Sequence, residues 1–252
     1  MNEKRILFVF AHPDDETFTS GVTIAKYVNE ERAVVSLLCA TRGQAGKAGD
    51  PPVCLPGELP VYRERELREA ASILGIAHVD ILDYEDKHLN EVPMDELIAQ
   101  IHAAIQRHQP QIVITFAPHG ISGHPDHIVI SKATRLAMEK LPLAGSPVKK
   151  MYYVTHSSAE SFGVISPPYT DPYEAVTTEI SAPQYVPQVA QALLAHKTQH
   201  LSINRVFPGV IGGDYRHVRA VNHFILAWHK LPGYEVKGKE SDLFAGIDSK
   251  ST

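Results

Sequence analysis

Apolar residues along this chain gather into short continuous runs that alternate with stretches of helical periodicity. Ile6 to Phe10 is unbroken, and Val34 to Ala40, Val79 to Leu82, Ile112 to Ala117 and Met151 to Thr155 are further largely apolar runs. Runs of this length without a regular polar face read as strands buried on both sides. Between them Leu67, Ala70, Ala71 and Leu74 recur at i, i+3, i+4 and i+7, and Met94, Leu97, Ile98, Ile101 and Ile105 repeat that rhythm, so both segments are expected to be amphipathic helices. Strands alternating with helices predict βαβ units, hence an α/β, Rossmann-like three-layer sandwich with a mostly parallel sheet.

The later chain is less regular. A short strand over Ala175–Ile180 and a helix from about Pro183 to His200 are expected, followed by a last helix over His217–Lys230 that docks through Val218, Val221, Phe224, Ile225 and Trp228. The tail after Gly238 is largely polar and expected to be loose. Two long connections stand out: Gly43–Pro60, with four glycines and four prolines, a candidate lid or substrate loop, and the proline-spaced stretch Ser157–Pro172. The simplest organisation is one domain over residues 1–252, with a core at 1–200 and a C-terminal helix and tail at 201–252.

Composition narrows the function classes. With 44% apolar and 21% charged residues the chain supports one sizeable core. A net charge of −5 and no run of Lys or Arg give no footprint for nucleic acid or an anionic membrane, which favours a small-molecule partner. Two cysteines, Cys39 in a strand and Cys54 in a loop, are too few for a disulfide framework and suit a reduced, cytoplasmic setting. No stretch reaches transmembrane length.

The chemistry lies just past two of the strands. Ala11-His12-Pro13-Asp14-Asp15-Glu16 follows the first, and Gly123-His124-Pro125-Asp126-His127 follows Ile112–Ala117, at the C-terminal strand ends where open α/β sheets bind ligands. His12 and Asp15, three apart in a turn opening a helix, can converge as an imidazole and a carboxylate, and His124 or His127 can complete a three-ligand catalytic metal site. Two histidines and one carboxylate suit Zn²⁺, and Fe²⁺ accepts the same donors. Asp14, beside a ligand but pointing elsewhere, is a candidate general base, and whichever histidine is not a ligand is left to act as acid or oxyanion stabiliser. Such residues taken singly are usually caps or structural histidines; two clusters at two strand ends argue for a metal. His78, His88, His102 and His108 are assigned to solvated surfaces.

With A-H-P-D-D-E after the first strand and G-x-H-P-D-H after a later one, the sequence resembles the PIG-L/LmbE family of metal-dependent de-N-acetylases. The resemblance implies that His12, Asp15 and His127 bind zinc, that Asp14 is the general base, and that a protonated His124, oriented by Asp126, stabilises the oxyanion. Arg63-Glu64-Arg65-Glu66-Leu67 is similar to the family's R-x-x-E-L helix and Asp86 to a sugar-binding Asp, which implies substrate contacts for Arg63 and Asp86. His196-Lys197-Thr198-Gln199 resembles a C-terminal H-x-S/T-Q element. Two positions depart from the pattern: Gln44 stands where T-x-G-E-x-G has an acid, and Lys87 where Gly is frequent. Relatives in this family act on glucosamine-type amides and are often dimers or hexamers, so a homo-oligomer is expected.

The expected reaction is removal of an N-acetyl group from an N-acetylglucosamine-type sugar or glycoconjugate. The rivals are an amidase for a bulky or non-sugar conjugate and a metal- or sugar-binding protein without catalysis. A dinucleotide site is disfavoured, because the first strand ends without a glycine-rich turn.

Overall fold

The computed structural model describes residues 3–142, 145–160 and 168–247. Seven strands form one sheet: β1 (Arg5–Phe10), β2 (Val34–Thr41), β3 (His78–Tyr84), β4 (Ile112–Phe116), β5 (Lys150–Thr155), β6 (Thr178–Ser181) and β7 (Val221–His229). Their order is β3-β2-β1-β4-β5-β7-β6. β1 through β5 are mutually parallel, and β7 lies antiparallel to both β5 and β6. The helices are α1 (Asp15–Glu31), α2 (Leu59–Leu74), α3 (Met94–His108), the single turn α4 (Gly120–Gly123), α5 (Pro125–Glu139), α6 (Val186–Ala195) and α7 (His200–Val206). α1, α2 and α6 pack together, as do α3 and α5, giving the three layers of an α/β sandwich. No helix among the described residues is long and apolar enough to cross a membrane.

Burial explains why the central strands are legible. Every residue of β4 is buried, and in β1 all but Arg5 are, because parallel strands covered by crossover helices have no wet face. The same topology fixes the site. β1 feeds β2 and β3 on one side while β4 feeds β5 on the other, so the direction in which strands are added reverses between the parallel β1 and β4 and a crevice opens beyond their C-terminal ends.

Four expectations need correction. The segment His217–Lys230 is not a helix: Val221–His229 is β7, pairing Phe224 with Val154 and His223 with Thr155. Its spaced apolar residues fit either period, but a β-branched and aromatic run beside the free edge of β5 completes two ladders as a strand. Pro183–His200 is divided between α6 and flanking 3₁₀ turns, the second at Lys197–Gln199. The tail is anchored as far as residue 247: Leu243 and Phe244 are buried, and Tyr27 Oη donates to Asp242 while accepting from the Leu243 N–H. His108 is buried too, 2.8 Å from Asp80 and stacked on His78. Of Ser157–Pro172, residues 161–167 lie outside the described residues.

Candidate metal centre

The first cluster leaves β1 and turns into α1 through a left-handed residue, Asp14, at φ 112. Few residues but Asp, Asn and Gly tolerate that conformation, and a strained turn here is what lets His12 and Asp15 face one another. The Asp15 carboxylate accepts the His12 backbone N–H at 2.7 Å and lies 3.7 Å from His12 Nδ1. The second cluster opens α5, with His124 at its N-cap and Pro125 in its first turn. One turn in, His127 points back across the switch point, its Nε2 3.0 Å from His12 Nδ1 and 3.3 Å from Asp15. Its ring stacks on Phe116 at a centroid distance of 4.1 Å.

The outer hydrogen bonds fix which nitrogens are free. His12 Nε2 lies 3.0 Å from Asp86 and 3.1 Å from Asp126, both carboxylates held ionised below the usual range by His12 against the opposing effect of burial, so Nε2 carries the proton. His127 Nδ1 is 3.0 Å from the Gly120 carbonyl, which can only accept, so that nitrogen also carries its proton. Two imidazole lone pairs, His12 Nδ1 and His127 Nε2, are therefore aimed at each other beside the Asp15 carboxylate. That arrangement requires a cation between them. Without a metal it is a proton: burial alone would lower the His12 pKa, but hydrogen bonds to Asp126 and Asp86 and the charge of Asp15 raise it to about 10. Asp15 is conversely held at about 2, burial being outweighed by His127 and His12. His12 Nδ1 and His127 Nε2 stand 3.0 Å apart, near the roughly 3.3 Å that metal–ligand bonds of about 2.0–2.1 Å in tetrahedral geometry imply, and each faces a different Asp15 oxygen, at 3.7 and 3.3 Å.

His124 is near but differently committed. The nitrogens of His12, His124 and His127 lie within 4.8 Å of one another. Yet His124 Nδ1 accepts the Asp126 backbone N–H at 3.2 Å, which leaves its proton on Nε2 and makes that atom a donor. Burial and the neighbouring His12 and His127 push its pKa below the ordinary value. The expected protonated His124 is thus replaced by a neutral donor. Nor does the Asp126 carboxylate orient it: both oxygens are taken by His12 and by the N–H groups of Lys87 and Leu89.

Asp14 sits beside the centre on Arg63. Burial raises its pKa to about 6, with Arg63 pulling down and Asp15 pushing up. Arg63 is 4% exposed and turns its two terminal nitrogens to the protein, 2.9 Å to the Gly43 carbonyl, 2.5 Å to that of Pro13 and 3.1 Å to Asp14, while its Nε has no hydrogen-bond partner among the described residues. A Cβ on Gly43 would lie 2.0 Å from that guanidinium, so only glycine fits. Asp86 is buried behind His12, its second oxygen accepting the Ala45 N–H. Arg63 and Asp86, expected to touch substrate, hydrogen-bond Asp14 and His12 in this structure.

The weaker motifs turn out to interlock. Glu66, three residues after Arg63, accepts the N–H and hydroxyl of Thr198, and Gln199 donates to the Lys47 carbonyl. His196 is fully buried at 3.4 Å from Glu16, whose other oxygen accepts the Asp14 N–H. The role of His196 and Glu16 in bracing the Asp14 turn was not visible in the sequence beyond the motif itself. Gln44 donates to the Tyr84 carbonyl, which a carboxylate cannot do, whereas Lys87 adopts φ 74, the left-handed region that favours glycine, and its Nζ donates to the Ala45 carbonyl.

Comparison with known proteins gives consistent results. Residues 7–138 match the PIG-L family model, described as GlcNAc-PI de-N-acetylase. The 1D-myo-inositol 2-acetamido-2-deoxy-alpha-D-glucopyranoside deacetylase of Rhodococcus erythropolis is 34% identical over 301 residues, covering 98% of each chain. A probable N-acetyl-alpha-D-glucosaminyl L-malate deacetylase 2 of Bacillus anthracis is 33% identical over 199 residues, 79% of this chain and 82% of its own. In fold, N,N'-diacetylchitobiose deacetylase from Pyrococcus horikoshii superposes with a TM-score of 0.66 at 18% identity, covering 89% of this chain and 84% of that one.

Proposed function

Because this chain belongs to the PIG-L family of metal-dependent de-N-acetylases, we propose that it removes the N-acetyl group from an N-acetylglucosamine-type sugar conjugate, releasing acetate and a free amine. The observation that carries the reading is the pair of opposed imidazole lone pairs beside Asp15. His12, Asp15 and His127 would hold the ion, with zinc the best fit to two imidazoles and a carboxylate and ferrous iron the alternative. A divalent ion there supplies Lewis acidity to the amide carbonyl and lowers the pKa of water toward ~7.

The remaining steps belong to the chain. Asp14, with its carboxyl near 6, is ionised at neutral pH yet basic enough to take a proton from the attacking water. Arg63 fixes where that carboxylate stands. As the carbonyl oxygen gains charge, the Nε2–H of neutral His124 donates to it, and the N-terminus of α5 adds its positive end. The proton taken by Asp14 then goes to the amide nitrogen, the C–N bond breaks and the amine leaves. A single catalytic domain acting as a homo-oligomer in the cytoplasm belongs to the same proposal.

The test is amine release from N-acetylglucosaminyl-inositol, N-acetylglucosaminyl-malate and diacetylchitobiose by protein stripped of metal and then reloaded with Zn²⁺ or Fe²⁺. Release restored by metal supports the reading. One bound ion with no release from any of the three refutes the sugar substrate.

A further inference from the structure

A cavity of about 500 Å³ opens directly off the metal centre, with Asp15 and His127 in its wall. Phe18, Ile121 and Val206 line it with carbon, and Arg219 and Arg205 bring charge. Its volume is that of a site for a whole ligand rather than for an acetyl group alone.

Arg219 is the unusual member. It reaches the cavity from the segment preceding β7, donates once to the Phe18 carbonyl at 3.2 Å, and lies over the Phe207 ring at 5.1 Å. Among the described residues it forms no ion pair. The acid whose charge reaches it, Glu160, has one oxygen on His223 at 2.5 Å and the Ser157 N–H at 2.8 Å and the other 3.7 Å from His156, and forms no ion pair with Arg219. Burial lowers its pKa to about 10 in spite of Glu160. A guanidinium offers five N–H donors, and here one is used. Half-buried in the cavity wall and without an ion pair among the described residues, this guanidinium favours a ligand that brings a counter-charge over one that does not.

We propose that this cavity receives an anionic group, a carboxylate or phosphate, borne on the part of the substrate beyond the acetamide, and that Arg219 is its counter-charge, with Arg205 second. The planar fork of a guanidinium matches either oxyanion with two parallel hydrogen bonds. The inference rests on the deacetylase reading and sharpens it: of substrates with similar sugars, the chain prefers the one with an acidic aglycone.

The experiment compares N-acetylglucosaminyl-malate with its dimethyl ester, a matched acid and neutral pair, on metal-loaded wild type, Arg219→Gln and Arg219→Lys. The acid is expected to exceed the ester in kcat/KM by roughly 10- to 100-fold, the worth of a hydrogen-bonded charge. That ratio should collapse in Arg219→Gln and survive in part in Arg219→Lys. If Arg219 merely ties Phe18 to Phe207, its loss lowers stability and leaves the ratio alone. A wild-type ratio near one, or a ratio unmoved in Arg219→Gln, overturns the proposal, and the first is readable even if the variant fails to fold. Titration calorimetry with both compounds separates the two readings. Binding of the acid that needs Arg219, without amine release, sustains the anion site and refutes deacetylation; equal binding of acid and ester refutes the anion site.

Discussion

Two buried polar clusters occupy opposite ends of the same sheet, and they differ in whether they are complete. At the N-terminal end of β5, Lys150 is wholly buried, donates to the hydroxyls of Tyr152 and Tyr234, and lies 3.5 Å from Glu240, while Tyr152 donates to the Leu243 carbonyl. The cation there meets two hydroxyls and an acid, Tyr234 donates to the other oxygen of Glu240, and the cluster ties the C-terminal segment to the sheet. At the C-terminal ends of β1 and β4, by contrast, the outer nitrogens of His12 and His127 are spent on Asp86, Asp126 and Gly120, so that the inner ones are left facing each other. A buried network that pairs its own cation with an acid is structural; one whose partners force like lone pairs together could hold a cation.

That contrast breaks most severely at the metal centre. His127→Ala should lose bound metal and activity together, read as metal content after dialysis and amine release, whereas retention of one tight ion would remove His127 from the ligand set. Asp14→Asn should keep the metal and lose roughly 10²- to 10⁴-fold in kcat, the range for a general base; undiminished turnover would reassign the base. At the other pole, Lys150→Met should lower stability by on the order of 3 kcal/mol in urea unfolding, because Glu240 is left without its cation, with metal affinity unchanged. Weakened metal binding in that variant would erase the distinction between the two clusters.

Smaller effects sharpen the comparison. Asp126→Asn should weaken metal affinity by roughly 10- to 100-fold through His12, as the loss of an outer-shell partner does. An effect on kcat alone would instead restore Asp126 as a partner of His124. The pH profile comes last. Asp14 must be ionised to act, and its carboxyl stands at about 6 before a metal's charge lowers it further, so kcat/KM should fall as pH drops through a value at or below about 6. Since Arg63 lowers that pKa, Arg63→Gln should move the acidic limb upward. A limb that stays in place would separate Arg63 from Asp14.

The central fold was legible because strands buried on both faces must be continuously apolar, and the two His-Pro-Asp clusters because each follows such a strand. β7 was not: its apolar spacing satisfies two periods, and the free edge of β5 that decides between them is 66 or more residues away in sequence. Among the site residues, the sequence could place His124 and His127 together but could not tell donor from ligand, since that depends on a backbone N–H and a carbonyl from Asp126 and Gly120. Arg63 and Asp86 were legible as site residues, but their contacts to Asp14 and His12 were not. Burial in the folded chain, not spacing, decides that.

The most direct test of the opposed lone pairs is ¹⁵N NMR of the imidazole nitrogens in protein loaded with ¹¹³Cd²⁺. The account predicts metal coupling at His12 Nδ1 and His127 Nε2, and a His124 that is uncoupled and protonated on Nε2. Coupling at His124 Nε2, or at the outer nitrogens of His12 and His127, would contradict it.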